Sequence, residues 1–413
     1  MKPFRIILVS NILDMMPRII NRMKFLYRKI RRFVRILRQE SLPRNYDICA
    51  KDDNTILFVA HSAQQGGAPM LGCNIIENLR RKGYSFVIIL MEPGPLYEEY
   101  NELGYVFMPL SRYDLKRFLN RLKKNKTIRH CLANSSLTGE YAEVISQCGL
   151  DIVTLVHEMD KTILSCCVLN YLEDAMEYSK KIVFPSSVVL NSCIKLLKKD
   201  YLNKVDIRPQ GIYRWPMVEF VNKSRAKQVL AERLGIDSSR NTILNIGSTI
   251  SRKGFDLFVE ACRLDTTNIY IWVGVTDNKY YDEVMRKVGG IPDNFIPVPF
   301  LDNPADLRVF YEGADVLAMT SREDPFPSVV MEAFSLGTPV VAFDKCGGFV
   351  DIIKNNETGV LCEEPKTDNL IEGIRLILED KTKYKFMSEQ CFKCAREFSF
   401  EKYVWYLEQK LKE

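Results

Sequence analysis

Short apolar runs alternate with helical segments twice along this chain, and that alternation limits the fold more than any other feature. The first block opens with TILFVAH at Thr55, continues through SFVIIL, DIVTLVHE and KIVFPSS, and closes at VDIRPQGIY. The second restarts at Thr242 with TILNIGS and runs through IYIWVGV, NFIPVPFL, ADVLAMTS and PVVAF. Runs that are apolar throughout, and not merely at alternate positions, belong to strands covered on both faces, as parallel strands are. The expectation is an α/β chain with two doubly wound domains. The segment RWPMVEFVNKSRAKQVLAERLGI lies between them, as a linker and then the first helix of the second domain. The expected boundaries are 1–50 for an N-terminal extension, 51–211 and 212–396 for the two domains, and 397–413 for a final helix.

In open sheets of this kind ligands bind at the carboxyl ends of the strands, so chemistry is sought in the loops that follow them. One such loop lies within SREDPFPSVVMEAFSLGTPVVAF, Ser321 to Phe343. The preceding ADVLAMTS reads as a strand, Ser328 to Leu336 as a helix, and PVVAF as the next strand. Gly337 suits the position just past the helix end, and Pro339 cannot continue the helix. Asp324 stands in the loop, while Ser328 and Glu332, four apart, share a helix face. Unpaired amides at Ser328–Val330 favour an anion, and a carboxylate one turn deep can accept hydrogen bonds from a vicinal diol. A second loop lies in NIGSTISRKGFDLFVEA, where Arg252 and Lys253 precede Gly254 and a helix. A cationic pair beside a helix start is an anion receptor. GSTISRKG lacks the ending of a Walker loop, and GGAPMLG has the wrong spacing for a dinucleotide fingerprint, so a nicotinamide enzyme is not supported.

The 12 cysteines show no secreted-scaffold pattern, and Cys391 and Cys394 form a lone CxxC without a second ligand pair at metal spacing. Reduced thiols are expected, with no bound metal. No apolar run reaches the roughly 18–20 residues of a membrane-spanning helix, and FRIILVSNILDMM is a poor signal peptide. A cytoplasmic location follows as the expectation.

The context EDPFPSVVMEAFSLGTPVVA, with an acidic residue, seven residues and then Glu, resembles that of the retaining nucleotide-sugar glycosyltransferases of family four, which have the GT-B architecture. The resemblance extends to GSTISRKGFDLF, CGGFVDIIKNNETGVL, HSAQQGGAP, LVHEMD, IVFPSS and IRPQGIY, and so covers roughly residues 55 to 400. It implies two Rossmann-like domains facing a cleft: an acceptor-side domain, then a nucleotide-sugar donor domain. The last segment, FSFEKYVWYLEQKLKE, resembles the family's final helix, which crosses back to the first domain. The implied donor-binding residues are Gly66, Gly67, Ser248, Arg252, Lys253, Asp324, Phe326, Pro327, Ser328, Val329 and Glu332. Lys253 with Arg252 would bind the diphosphate, Glu332 the ribose and Asp324 the transferred sugar, with Gly66–Gly67 bringing backbone near the diphosphate and His157 near the sugar or acceptor. Many members carry Arg directly after the glycine where this chain has Ser248, so Arg252 stands as the substitute; Glu323 competes with Asp324 for the first acidic role. The implied reaction is metal-independent, hexosyltransferase-type transfer with retention. It moves a sugar to a saccharide acceptor, expected to be lipid-linked, in surface polysaccharide biosynthesis. It needs no cofactor, since the nucleotide sugar is a substrate. Alternatives are a noncatalytic sugar-nucleotide-binding subunit of a polysaccharide assembly, and a GT-B epimerase or phosphorylase.

The net charge of +6 is unevenly placed. RIINRMKFLYRKIRRFVRILR, residues 18–38, carries nine basic residues and no acidic one, with Ile19, Met23, Leu26, Ile30, Phe33 and Leu37 at spacings of three and four. This predicts a basic amphipathic helix lying on an anionic membrane surface, which would make the protein peripheral at the inner face. A nucleic-acid arm is disfavoured, because the rest of the chain has no matching motif. Each basic residue near such a surface adds about 1 kcal/mol before screening. The full chain should therefore sediment with anionic vesicles at low salt, and a chain starting near Asp47 should not. Equal binding by both would refute attachment through this helix.

Overall fold

The computed structural model describes residues 54–125 and 128–413; the extension at 1–50, with the basic helix expected at 18–38, lies outside the described residues. The chain divides into two compact units. One comprises residues up to Phe184, Ser192–Asp206 and Tyr406–Glu413; the other comprises Pro185–Asn191 and Ile207–Trp405.

The first unit holds β1 (Thr55–Ala60), β2 (Ser85–Leu90), β3 (Tyr105–Phe107), β4 (His130–Asn134), β5 (Asp151–Leu155), β6 (Lys181–Phe184) and β7 (Val205–Ile207). The second holds β8 (Thr242–Ile246), β9 (Ile269–Val275), β10 (Phe295–Pro299), β11 (Val316–Met319), β12 (Val340–Phe343) and β13 (Gly359–Cys362). Five helices bear on the sites: α1 (Gly67–Arg81), α2 (Phe255–Leu264), α3 (Pro304–Gly313), α4 (Ser328–Ser335) and α5 (Phe400–Lys412). The strand orders are β3-β2-β1-β4-β5-β6-β7 and β10-β9-β8-β11-β12-β13. In each unit the first strand is interior. The chain winds outward on one side of it and then returns to its other side, with β1–β4 and β8–β11 pairing in parallel. Loops leaving such a pair turn apart, and the crevice between them is where doubly wound sheets take ligands.

Strands β1, β11 and β12 are buried along their whole length, as their unbroken apolar runs require. The helix starts and stops follow local chemistry. Pro69 sits in the first turn of α1, Asn303 caps α3 with Pro304 behind it, and Gly337 follows α4 at φ +69°. Helix α2 is held by edge-to-face contacts of Phe255 and Phe258 with Trp272, at 5.0 and 5.2 Å. Each such ring contributes about 1.5–3 kcal/mol by burial, so the turn just ahead of α2 is fixed to the sheet. Helix α5 begins in the second unit and ends in the first. Within the first unit, Glu408 accepts hydrogen bonds from Lys82 (2.8 Å), Tyr84 (2.9 Å) and Lys412 (2.8 Å). Lys412 first, then Lys82, hold its carboxyl down at about 2.

Cys391 and Cys394 are buried, and their thiols donate to the carbonyls of Thr358 and Ile352. Burial pushes the Cys394 thiol up to about 11 and raises that of Cys391 well above its ordinary value, so both are protonated and unreactive.

Gly254, ahead of α2, has φ +71°, and a Cβ there would lie 2.0 Å from the Thr320 carbonyl oxygen. Gly235 has φ +64° with open space around it. A left-handed alanine costs about 1–2 kcal/mol. Gly235→Ala should lose about that much in thermal or urea unfolding, and Gly254→Ala at least twice as much. Equal losses would show that the two loops are not in contact.

Candidate functional site

The crevice loop after β8 and the loop after β11 are laced together. Arg322 N–H donates to the Arg252 carbonyl (2.9 Å), Arg252 Nη1 to the Glu323 carbonyl (2.7 Å), and Thr320 Oγ1 to the Lys253 carbonyl (2.9 Å). The Arg322 guanidinium grips Asp256 through two bonds of 2.7 and 2.8 Å and also donates to the Ser251 carbonyl (2.7 Å). Such a bidentate pair fixes both position and plane. Across this lacing, Lys253 Nζ meets the carboxylate of Asp324, and the Ser321 hydroxyl also donates to it, at 3.3 Å. Lys253 and Asp324, 71 residues apart, are thus one ion pair at the switch point. Asp324 N–H donates to Cys346 (2.9 Å), and Gly348 N–H donates back to Asp324 (3.1 Å). The main chain that carries the carboxylate is thereby pinned on both sides.

Arg252, expected to face a ligand, has one guanidinium amine engaged by the Glu323 carbonyl. Glu323 is buried beside Asp324, and Ser248 is exposed after β8. Phe326 and Pro327 are buried ahead of α4, and Ser328 and Val329 open it, with no side chain capping its first amides.

Glu332 is buried to 2% exposure, not an exposed helix glutamate. Arg214 Nε donates to its Oε1 at 3.0 Å and the Tyr311 hydroxyl to its Oε2 at 2.7 Å. Glu332 in turn raises the pKa of Arg214. Burial, and then Glu332, push the Tyr311 hydroxyl well up. Arg214 belongs to a strap laid along α4 in register. Gln210 donates to the Phe326 carbonyl (3.4 Å), Arg214 to Glu332, Trp215 Nε1 to Ser335 Oγ (2.9 Å), and Lys223 to Thr338 Oγ1. Burial brings Lys223 down to about 8.

The crevice of the first unit has its own polar cluster. Gly66 is extended at φ −173° and caps α1, and a Cβ built on Gly67 would meet open space. Beyond β5, Glu158 is buried. It accepts from Ser135 Oγ (2.5 Å), Ser136 N (3.0 Å), Ser136 Oγ (2.7 Å) and His157 N (3.2 Å). Burial opposes its charge, but His157, His61 and these hydroxyls together hold the carboxyl below its usual range. His157 Nε2 meets Asn134 Oδ1 at 2.8 Å. Burial brings the imidazole down to about 4. Because the unfolded ring takes its proton first, the stability this neutral ring supports is complete above about pH 6.5 and is lost as pH falls toward 4.

Sequence reasoning missed Arg214, Tyr311, Asn134, Ser135, Ser136 and Arg322. Each acts through a partner distant in the chain, and none sits in a motif of its own. Among the described residues no group of acidic, Cys or His side chains has the arrangement of a metal site, and no helix is long and apolar enough to cross a membrane.

Residues 226–393 match the family model for glycosyl transferases group 1. An uncharacterized glycosyltransferase of Haemophilus influenzae is 19% identical over 354 residues, 84% of this chain and 96% of that protein. The N-acetyl-alpha-D-glucosaminyl L-malate synthase of Bacillus anthracis is 26% identical over 261 residues, 62% of this chain and 64% of that one. Among solved structures, Anabaena HepE in complex with UDP superposes with a TM-score of 0.73 at 17% identity, covering 87% of this chain and 99% of that one. WaaG, a glycosyltransferase involved in lipopolysaccharide biosynthesis, gives 0.67 at 16% identity, covering 86% and 99%. At these identities the structural likeness speaks to the fold, which is GT-B.

Removing one partner of a buried ion pair costs about 3–5 kcal/mol, because the other charge is stranded. Arg214→Met should lose that much in chemical denaturation, and adding Glu332→Gln should restore more than half. A double variant no more stable than Arg214→Met would show that the pair is not what holds the strap.

Proposed function

From the match of residues 226–393 to the glycosyl transferases group 1 model and from the fold, we propose that the chain is a retaining, metal-independent glycosyltransferase using a nucleotide-diphosphate-sugar donor. The observation that carries this reading is the Lys253–Asp324 pair beside the uncapped start of α4, at the switch point of the second sheet. An incoming diphosphate draws the Lys253 ammonium away from Asp324, with help from the remaining amines of Arg252 and the α4 amides. Asp324 is then free to accept a hydrogen bond from a hydroxyl of the transferred sugar. Arg214 and Tyr311 occupy one acceptor site on each oxygen of Glu332, and each carboxylate oxygen has a second. Those second sites suit the two hydroxyls of a ribose.

Transfer with retention then needs no protein nucleophile. The bond from the anomeric carbon to the diphosphate oxygen breaks, and the acceptor oxygen bonds to that carbon on the same face. The acceptor's proton passes to a donor phosphate oxygen. The protein contributes position and charge stabilisation of the leaving diphosphate. Gly66, Gly67 and His157 are the first unit's own proposed substrate-binding residues. The basic segment at 18–38 and the role of WaaG in lipopolysaccharide biosynthesis support a lipid-linked saccharide acceptor, reached from the inner membrane face, in surface polysaccharide synthesis. The HepE complexes with UDP and with UDP-glucose support a uridine nucleotide among the first donors to try.

A panel of nucleotide sugars should give donor turnover that survives a chelator, with an early product of unchanged anomeric configuration by proton NMR. Lys253→Ala should weaken donor use by tenfold or more, since a hydrogen bond to a charged group is worth about 1.5–3 kcal/mol. An inverted product would overturn retention, strict metal dependence would overturn the charge account, and unchanged turnover in Lys253→Ala would overturn the site.

A further inference from the structure

Asn134 closes β4 with its side chain fully buried, and both ends of its amide are committed. Its Nδ2 donates to the Ala68 carbonyl at 2.7 Å, at the start of α1. A carbonyl only accepts, so the amide nitrogen must point there and Oδ1 must face His157 Nε2, 2.8 Å away. An amide oxygen also only accepts, so Nε2 of His157 carries the hydrogen and Nδ1 carries the lone pair.

Three features hold this orientation. Gly72 of α1 leaves room for the amide, since a Cβ there would stand 2.8 Å from Asn134 Nδ2. Ser135, next in the chain, sits at φ 149°, a strained value for a residue with a side chain. Glu158 pins that turn through the hydroxyl of Ser135 and both the amide and the hydroxyl of Ser136, while also taking the backbone N–H of His157. One buried carboxylate therefore sets the loops after β4 and β5 against each other. Among the described residues His157 Nδ1 has no protein partner, and it is not sealed from solvent.

We propose that Asn134 is a positioning residue that locks His157 in the Nε2–H tautomer and so makes Nδ1 a dedicated hydrogen-bond acceptor for a sugar hydroxyl. The acceptor role rests on the glycosyltransferase reading above; the tautomer does not. Burial keeps the ring neutral through the physiological range, with a value of about 4, so Nδ1 remains an acceptor there. His157 then orients a hydroxyl without acting as an acid.

The chain has three histidines, so a 15N-histidine sample of the full-length protein gives an assignable spectrum, with His157→Gln identifying the signal. At neutral pH, His157 should show an unprotonated Nδ1 and a resolved Nε2–H proton. Asn134→Ala should lose that proton to exchange. A protonated Nδ1 in the wild type would overturn the lock, as would an Nε2–H signal unaffected by Asn134→Ala. Glutamine at 157 can still donate to Asn134 but offers no acceptor at the Nδ1 position. His157→Gln should therefore melt within a few degrees of wild type and lose tenfold or more in kcat/KM for whichever nucleotide sugar the panel identifies. Wild-type turnover by that variant would overturn the acceptor role. If the wild type turned over no nucleotide sugar, the reading of function and the acceptor role would both fall, while the spectrum would still decide the tautomer.

Discussion

The close approach of Gly254 to the Thr320 carbonyl governs how the second unit assembles its site. Only a residue without a Cβ lets the turn before α2 rest against the end of β11. Given that contact, the remaining bonds are short-range consequences: Thr320 reaches the Lys253 carbonyl, Arg322 reaches Ser251 and Asp256, and Lys253 reaches Asp324. The aromatic packing of Phe255 and Phe258 on Trp272 then ties the whole arrangement to the sheet. The Lys253–Asp324 ion pair is thereby placed by backbone geometry, not by the flexible side chains that form it.

Both units bury a carboxylate next to the crevice, and both satisfy it with donors. Glu158 is surrounded by hydroxyls and amides, and Glu332 by a guanidinium and a phenol. The difference matters chemically. Amide and hydroxyl donors leave Glu158 as a net negative charge that organises loops, whereas Arg214 neutralises Glu332 and lets it sit deeper. An isolated carboxylate at either place would be expelled or protonated.

The sheets were legible because their strands are apolar on both faces, and the end of α4 because Gly337 has a local reason to stand where it does. The proximity of Lys253 and Asp324 follows from topology: β8 and β11 are parallel neighbours, so the loops leaving their carboxyl ends start side by side whatever lies between. What could not be read was which polar groups already had partners. Nothing in RKG announces that Arg252 will give an amine to the Glu323 carbonyl. Nothing in GIYRW announces that Arg214 will find Glu332, 118 residues on. Asn134 and Ser135 are hidden for the same reason. Their significance lies in the direction of a hydrogen bond and in a backbone angle, and neither has a compositional trace.

The strap from Gln210 to Lys223 has a consequence for how this protein can be recombined. Because its residues meet Phe326, Glu332, Ser335 and Thr338 in order, the strap and α4 behave as one inheritable module despite lying more than a hundred positions apart. A chimera that took the chain beyond Val221 from a relative would pair a foreign α4 with most of the native strap, leaving Glu332 or its counterpart facing a mismatched side chain. The natural exchange point lies ahead of Gln210, so that helix and strap travel together.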